Sequence, residues 1–152
     1  MPQHIKNQKY KKAFDIINEA VNKGVLADCM AATCMVESII SERIISTLHP
    51  KDREKFQRIN FHSLIQELEG DIALQINRQN NQIIKTENLA EDINQWRIDR
   101  NMIVHGFIKD FSEDPLELQE FKERAHKITK TGDNLARLTL KWAEQYKRPT
   151  NQ

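Results

Sequence analysis

Apolar residues recur every three or four positions along most of this chain, a period that predicts helices rather than strands. The first predicted helix runs from about Lys9 to Lys23, with Tyr10, Ala13, Phe14, Ile17, Ala20 and Val21 on one stripe and Gly24 at the C′ position. Residues 1–7 read as a loose lead-in. A second helix is expected from about Ala27 to Leu48, capped by Asp28 or a neighbour. Its stripe of Met30, Ala31, Cys34, Met35, Ser38, Ile39, Ile45 and Leu48 covers more than half the circumference, which predicts a central helix. His49-Pro50 ends it.

The polar, basic segment KDREKFQRIN over 51–60 predicts a short helical turn anchored by Phe56 and Ile59. A third long helix follows over Phe61–Gln79 with Leu64, Ile65, Leu68, Ile72 and Ile76 as its stripe. Gly70 in its middle predicts a kink or a close helix contact. The amide-rich stretch NRQNNQIIK over 77–85 reads as a loop, and the next helix spans about Thr86–Gly106. Pro115 suits the first turn of a last helix carrying Leu116, Leu118, Phe121, Ala125, Ile128, Leu135, Leu138, Trp142 and Tyr146. Gly132 is expected to bend or split that helix, and 147–152 form a polar tail. With connections this short, the expected fold is all-α: an antiparallel bundle of four to five helices in a single domain over 1–152, loose only at 1–7 and 147–152.

Composition narrows the class. Hydrophobic residues make up 39% and charged residues 30%, which excludes a disordered chain, and a net charge of +1 excludes nucleic-acid binding by bulk charge alone. Cys29 and Cys34 match no zinc or redox spacing and read as two reduced, packed thiols of a cytoplasmic protein. The start MPQHIKNQKYKK has no apolar signal core, and no apolar run is long enough for a membrane span. His4, His49, His62 and His126 stand at no metal-ligand spacing, so neither a metal nor a cofactor is expected, and Trp96 and Trp142 are read as core.

Candidate chemistry concentrates in WRIDRNMIVHGF, residues 96–107. Leu89, Ile93, Trp96, Arg100, Ile103 and Phe107 form one helical stripe, so Arg100 stands among apolar residues, where a guanidinium is costly unless paired. Ile98, Asn101, Met102 and His105 form a second, mixed face. Arg100 and His105 are five residues apart, about 140° around a helix and about 7.5 Å along it. One copy therefore does not aim both at one atom, whereas two copies meeting across a twofold axis would line a shared cleft and cover the second apolar face. Arginine binds phosphate through its planar fork, histidine moves protons near neutral pH, and RNA carries its own 2′-OH nucleophile. Glu37, inside the second helix, is a candidate support for Arg97 or Arg100. Lys51, Arg53, Lys55 and Arg58 are candidate RNA contacts.

The run Arg100-Asn101-Met102-Ile103-Val104-His105, with Trp96-Arg97-Ile98 before it and Gly106 after it, resembles the R-x4-H signature of the HEPN superfamily. Glu37-Ser38-Ile39-Ile40-Ser41-Glu42-Arg43 resembles part of the second bundle helix of such proteins. The resemblance implies a helical bundle acting as a homodimeric, metal-independent endoribonuclease that leaves a 2′,3′-cyclic phosphate and a 5′-hydroxyl, often as a toxin or in phage defence. On that pattern Arg100 positions the phosphate, His105 does acid/base work or holds the 2′-OH, and Asn101 orients the site. An antitoxin or other regulatory protein is an expected partner. Some toxins of the superfamily continue R-x4-H-x-Y and are modified on that tyrosine; here Phe107 stands in its place and offers no hydroxyl. Two other readings stay open. A non-catalytic HEPN domain would bind RNA, nucleotide or a protein partner, and a purely structural bundle would use Arg100 only to pair a buried acid such as Glu37.

Overall fold

The computed structural model describes residues 2–56, 59–79, 88–109 and 115–146. Six helices make up the described residues: α1 (Pro2–Lys23), α2 (Leu26–Leu48), α3 (Arg53–Phe56), α4 (Phe61–Gln79), α5 (Leu89–Lys109) and α6 (Pro115–Gln145). The all-α expectation holds, with a sixth helix because the single turn of α3 joins five long ones. The lead-in expected over 1–7 is instead helical from Pro2, where a proline ring presets φ and its missing N–H removes no helical bond. The third long helix spans Phe61–Gln79 as expected, so residues 77–79 of the loop-like stretch belong to α4; residues 80–87 and the polar tail from 147 lie outside the described residues.

Only Gly24 and Val25 join α1 to α2. Gly24 takes φ +65°, a left-handed conformation that glycine adopts without steric cost, and its N–H reaches back 2.8 Å to the Ala20 carbonyl. A link this short leaves no side chain to cap α2. Val25 is the N-cap and makes no capping bond, and Asp28 lies inside the first turn, where it favours the helix dipole rather than closing the backbone as expected. The same link folds α2 back along α1, with the Cys29 thiol 3.8 Å from the Ala20 carbonyl.

Helix α6 lies against α1, α2 and α5; α4 lies against α2 and α5. The His126 ring Nε2–H donates to the Val21 carbonyl at 2.5 Å, while further along α6 Arg137 donates to Asn18 Oδ1 at 3.3 Å. These pairs run in opposite senses on the two helices, so α1 is antiparallel to α6 as it is to α2. It follows that α2 and α6 run the same way, and the antiparallel order expected throughout the bundle does not hold between them. The chain between α2 and α6 is long enough to return to the same end, a freedom that periodicity cannot reveal.

Helix α2 is central, as its apolar breadth predicts, but its buried face differs from the expected one. Cys29, Ala32, Val36, Ile40 and Ile44 are buried, Ile39 and Ile45 hold as expected, and Ala31, Cys34 and Ser38 face solvent. A helix apolar nearly all round does not announce which side faces inward. The two cysteines are free, as expected, yet only Cys29 is packed. The stripes expected on the first and last long helices hold for the described side chains: Tyr10, Ile17 and Ala20 are buried on α1, as are Ala125, Leu135 and Trp142 on α6.

The glycines reverse their expected roles. Gly70 is exposed and a methyl group there would meet nothing within 4 Å, so it marks no close contact. Gly132 neither splits nor interrupts α6, which is helical through Gln145. It makes room for Trp96: a Cβ at Gly132 would stand 3.0 Å from the indole Nε1. Without that Cβ, the Ile128 carbonyl one turn earlier is uncovered, and the indole N–H donates to it at 2.8 Å. Phe61 meets the Trp96 ring edge-on, with centroids 6.4 Å apart, so the ring is held on several sides. Changing Gly132 to alanine is therefore expected to destabilise the fold by about 1–3 kcal/mol despite the better helix propensity of alanine. Changing Gly70 to alanine is expected to stabilise it by about 0.5–1 kcal/mol. Urea denaturation midpoints of the two variants should move in opposite directions; a Gly132→Ala midpoint equal to or above the parent would show that Trp96 yields freely.

Candidate functional site

Helix α5 carries the expected site residues, and the packing of its stripe decides where they point. Leu89, Ile93, Trp96 and Ile103 are buried. Arg100 belongs to the same stripe, so its side chain is drawn inward and is only 15% exposed. The guanidinium there has three partners. Nη1 donates to Glu37 Oε1 of α2, Nη2 donates to Asn101 Oδ1 at 3.1 Å, and Cζ lies 5.3 Å from the centre of the Trp96 ring. Each contact has a physical reason: charge balance, neutral hydrogen bonding, and attraction of a cation to the π face one turn away.

The structure thus brings Arg100, Asn101 and Glu37 together. Arg97 is elsewhere, donating through Nε and Nη2 to Asn94 Oδ1 at 3.2 and 3.0 Å. It is not a partner of Glu37. His105 is exposed on another side of α5, and among the described residues no hydrogen bond ties it to Arg100. The separation expected from helix geometry is present: one chain offers an arginine on one side and an imidazole on another. Around the helix Ile98 and Met102 lie just beyond His105, on the side away from Arg100; they are 38% and 68% exposed and share the mixed face with His105. The side chain of Phe107 lies outside the described ones.

The basic segment divides. Lys51, Arg53 and Lys55 are exposed, Arg53 pairs with Glu42 of α2, and Arg58 lies outside the described residues. Glu37 and Glu42 are five residues apart on α2, so one helix supplies the counter-charge both to Arg100 and to Arg53. The remaining histidines with described side chains take structural or surface positions. His49 bonds Glu67 Oε1 at 2.9 Å, His62 is exposed, and His126 closes the end of α1. Among the described residues no group of three His, Cys, Asp or Glu side chains is placed to hold a metal ion, and no helix is long and apolar enough to cross a membrane.

Sequence reasoning missed two features of this helix. The first is the Trp96–Arg100 contact, which was legible as an i,i+4 pair once both were placed on the same stripe. The second is a groove of about 880 Å³ between α5 and α6, floored by Trp96, Ile103, Phe121, Ile128 and Leu135. Its signal was the alternation of Asp92 and Asp99 with the apolar positions of α5, a third face beside the two already recognised.

A scan against protein-family models and searches of curated proteins and of solved structures found no match to this chain.

The Glu37–Arg100 pair is half-buried, between the regimes of a solvated and a fully desolvated ion pair. Its removal from either side should show coupling. We expect Arg100→Ala to cost about 2–3 kcal/mol and Glu37→Gln about 1 kcal/mol, with a double-mutant coupling of about 1–2 kcal/mol in urea unfolding. Additive effects of the two substitutions would mean that the contact carries no net energy.

Proposed function

We propose that the chain is a metal-independent endoribonuclease of the HEPN type, acting on RNA at a cleft completed by a second copy of itself. The observation that carries this reading is the state of Arg100, a guanidinium held by Glu37, Asn101 and the Trp96 ring. Such a side chain has lost its rotamer freedom before any ligand arrives, so little further entropy is lost when its fork takes a phosphate. Arginine has five N–H donors, and the two bonds to Glu37 and Asn101 leave others for an anion. His105 is exposed and available for proton transfer. Ile98 and Met102 beside it are apolar side chains in solvent, and this exposure is what a homodimer would remove by packing the faces that carry His105 against each other.

The reaction needs only groups that the protein and the RNA supply. The RNA 2′-oxygen attacks the adjacent phosphorus as His105 takes its proton. Arg100 balances the charge that develops on the phosphoryl oxygens, and the departing 5′-oxygen leaves as a hydroxyl carrying the proton that the His105 imidazolium gives up, which restores the neutral imidazole. The products are a 2′,3′-cyclic phosphate and a 5′-hydroxyl. Glu37 and Asn101 act by positioning Arg100, and Lys51, Arg53 and Lys55 offer a basic track for the strand, weakened at Arg53 by Glu42. A toxin or phage-defence effector of the cytoplasm, restrained by an antitoxin or other regulatory protein, fits this chemistry. With Phe107 in the chain, that restraint does not run through a tyrosine at this position.

One observation favours a second reading. Glu37 already balances the charge of Arg100, which suits a non-catalytic HEPN-like domain that binds RNA, nucleotide or a protein partner.

Cleavage of mixed RNAs in EDTA separates the two. The ribonuclease reading expects cleavage by the parent protein, loss of about a hundredfold or more in Arg100→Ala and in His105→Ala, and 5′-hydroxyl ends. It also expects Ile98→Asp combined with Met102→Asp to yield a monomer without activity. Fragments ending in a 3′-hydroxyl, or no cleavage by a purified dimer, would remove the enzyme and leave the binding domain.

A further inference from the structure

The groove between α5 and α6 adjoins the face that carries His105 and shares with it only Met102. Its α5 wall runs from Asp92 to Ile103, about 16 Å at the rise of a helix, and its volume is about 880 Å³. The two rims carry opposite charge. Asp92 and Asp99 stand on the α5 side, and Arg124 and Lys127 stand on the α6 side, with Glu120 at the end of that rim. Asp99 accepts a hydrogen bond from Gln95 at 3.0 Å, but Asp92, Arg124 and Lys127 enter no ion pair among the described residues. Between the rims the floor is apolar and ends in Trp96, whose ring cannot move aside to fill the space because Gly132, Ile128 and Phe61 hold it.

We propose that this groove is a docking site for an amphipathic helix of another protein, one with an apolar stripe, a basic flank and an acidic flank. The dimensions fit one face of about three helical turns. An apolar stripe at i, i+4 and i+7 would cover the floor, as in helix-in-groove recognition. The unpaired rim charges select the flanks: lysine or arginine beside Asp92 and Asp99, aspartate or glutamate beside Arg124 and Lys127. Because the rims differ in sign, they also set the direction in which the helix lies. A nucleic-acid strand fits poorly, since its phosphates would meet the acidic rim on one side of a narrow apolar floor. The inference does not rest on the ribonuclease reading, because the groove shares only Met102 with the face proposed for the second copy.

The test uses two synthetic, helix-stapled peptides of about twelve residues, labelled for fluorescence anisotropy. Both carry leucines on one stripe; one has lysines on one flank and glutamates on the other, and the second has lysines on both. The parent protein is expected to bind the mixed peptide about three- to tenfold more tightly than the all-basic one, as a pair of exposed rim contacts allows. The variant Arg124→Glu with Lys127→Glu changes only exposed side chains and should keep the parent circular dichroism, and in it the preference should reverse. Equal affinity of both peptides for both proteins, or no binding of either, overturns the proposal. So does self-association of the parent that the Arg124→Glu, Lys127→Glu variant abolishes, since the groove would then hold a second copy. RNA cleavage by the same variant at the parent rate would leave the ribonuclease reading standing whichever way the peptides behave.

Discussion

The contact of Trp96 with Gly132 sets the position of every candidate residue on α5. An indole is the largest side chain available, and here it is buried with its one polar atom satisfied by a helical carbonyl, Ile128 O, that only a glycine one turn later leaves uncovered. The ring therefore fixes both how close α5 lies to α6 and how α5 is rotated about its own axis. Rotation is the more consequential of the two. Turn α5 outward by one residue and Arg100 leaves Glu37, while the acidic rim of the groove turns away from the basic one. The same ring is the surface over which the Arg100 guanidinium lies.

Arg100 shows how a charge is kept in a packed helix. Its side chain loses most of its water, a cost that one carboxylate offsets only in part. The remainder comes from an amide on the next residue and from the face of the indole, neither of which carries charge. The result is a cation with a partial counter-charge and fixed geometry. A fully exposed Glu37 would hold the arginine weakly, and a fully buried one would close the site to any other anion. At 35% exposure the carboxylate is between these limits, so Glu37 holds the guanidinium while keeping part of its own contact with water.

Amphipathic stripes made the long helices and much of the core legible. The stripes of α1, α4 and α6 translate almost directly into buried residues because each has one apolar side and one polar side. Helix α2 does not, since apolar residues surround it, and its true face was set by where α1 and α6 lie. Gly70 and Gly132 were read the wrong way round for a related reason: the effect of a missing side chain depends on what approaches from another element, and that is a tertiary fact. The candidate site divides along the same line. Arg100 as a charge in need of a partner was visible in its neighbours along the stripe, and Glu37 was in view as that partner. That Arg97 would turn instead to Asn94 is an i,i+3 choice within α5, whereas the groove beside α5 depended on the rotation of that helix against α6.

Helix α5 carries apolar residues on three sides, and each side meets a different demand. Leu89, Ile93 and Trp96 serve the core; Trp96 and Ile103 also floor the groove; Ile98 and Met102 stand in solvent. Exposed apolar side chains stand on other helices too, Ile16 and Leu74 among them; what sets Ile98 and Met102 apart is that they adjoin both His105 and the groove. Met102 lies at the border between the groove and the open face, so an occupant on either side would cover it. Two partners on adjacent sides of one helix would then compete for, or share, the same side chain. Coupling between them would need no change of fold, only the choice of which surface Met102 lies against, and methionine is the side chain best suited to that choice because its unbranched thioether adapts to either.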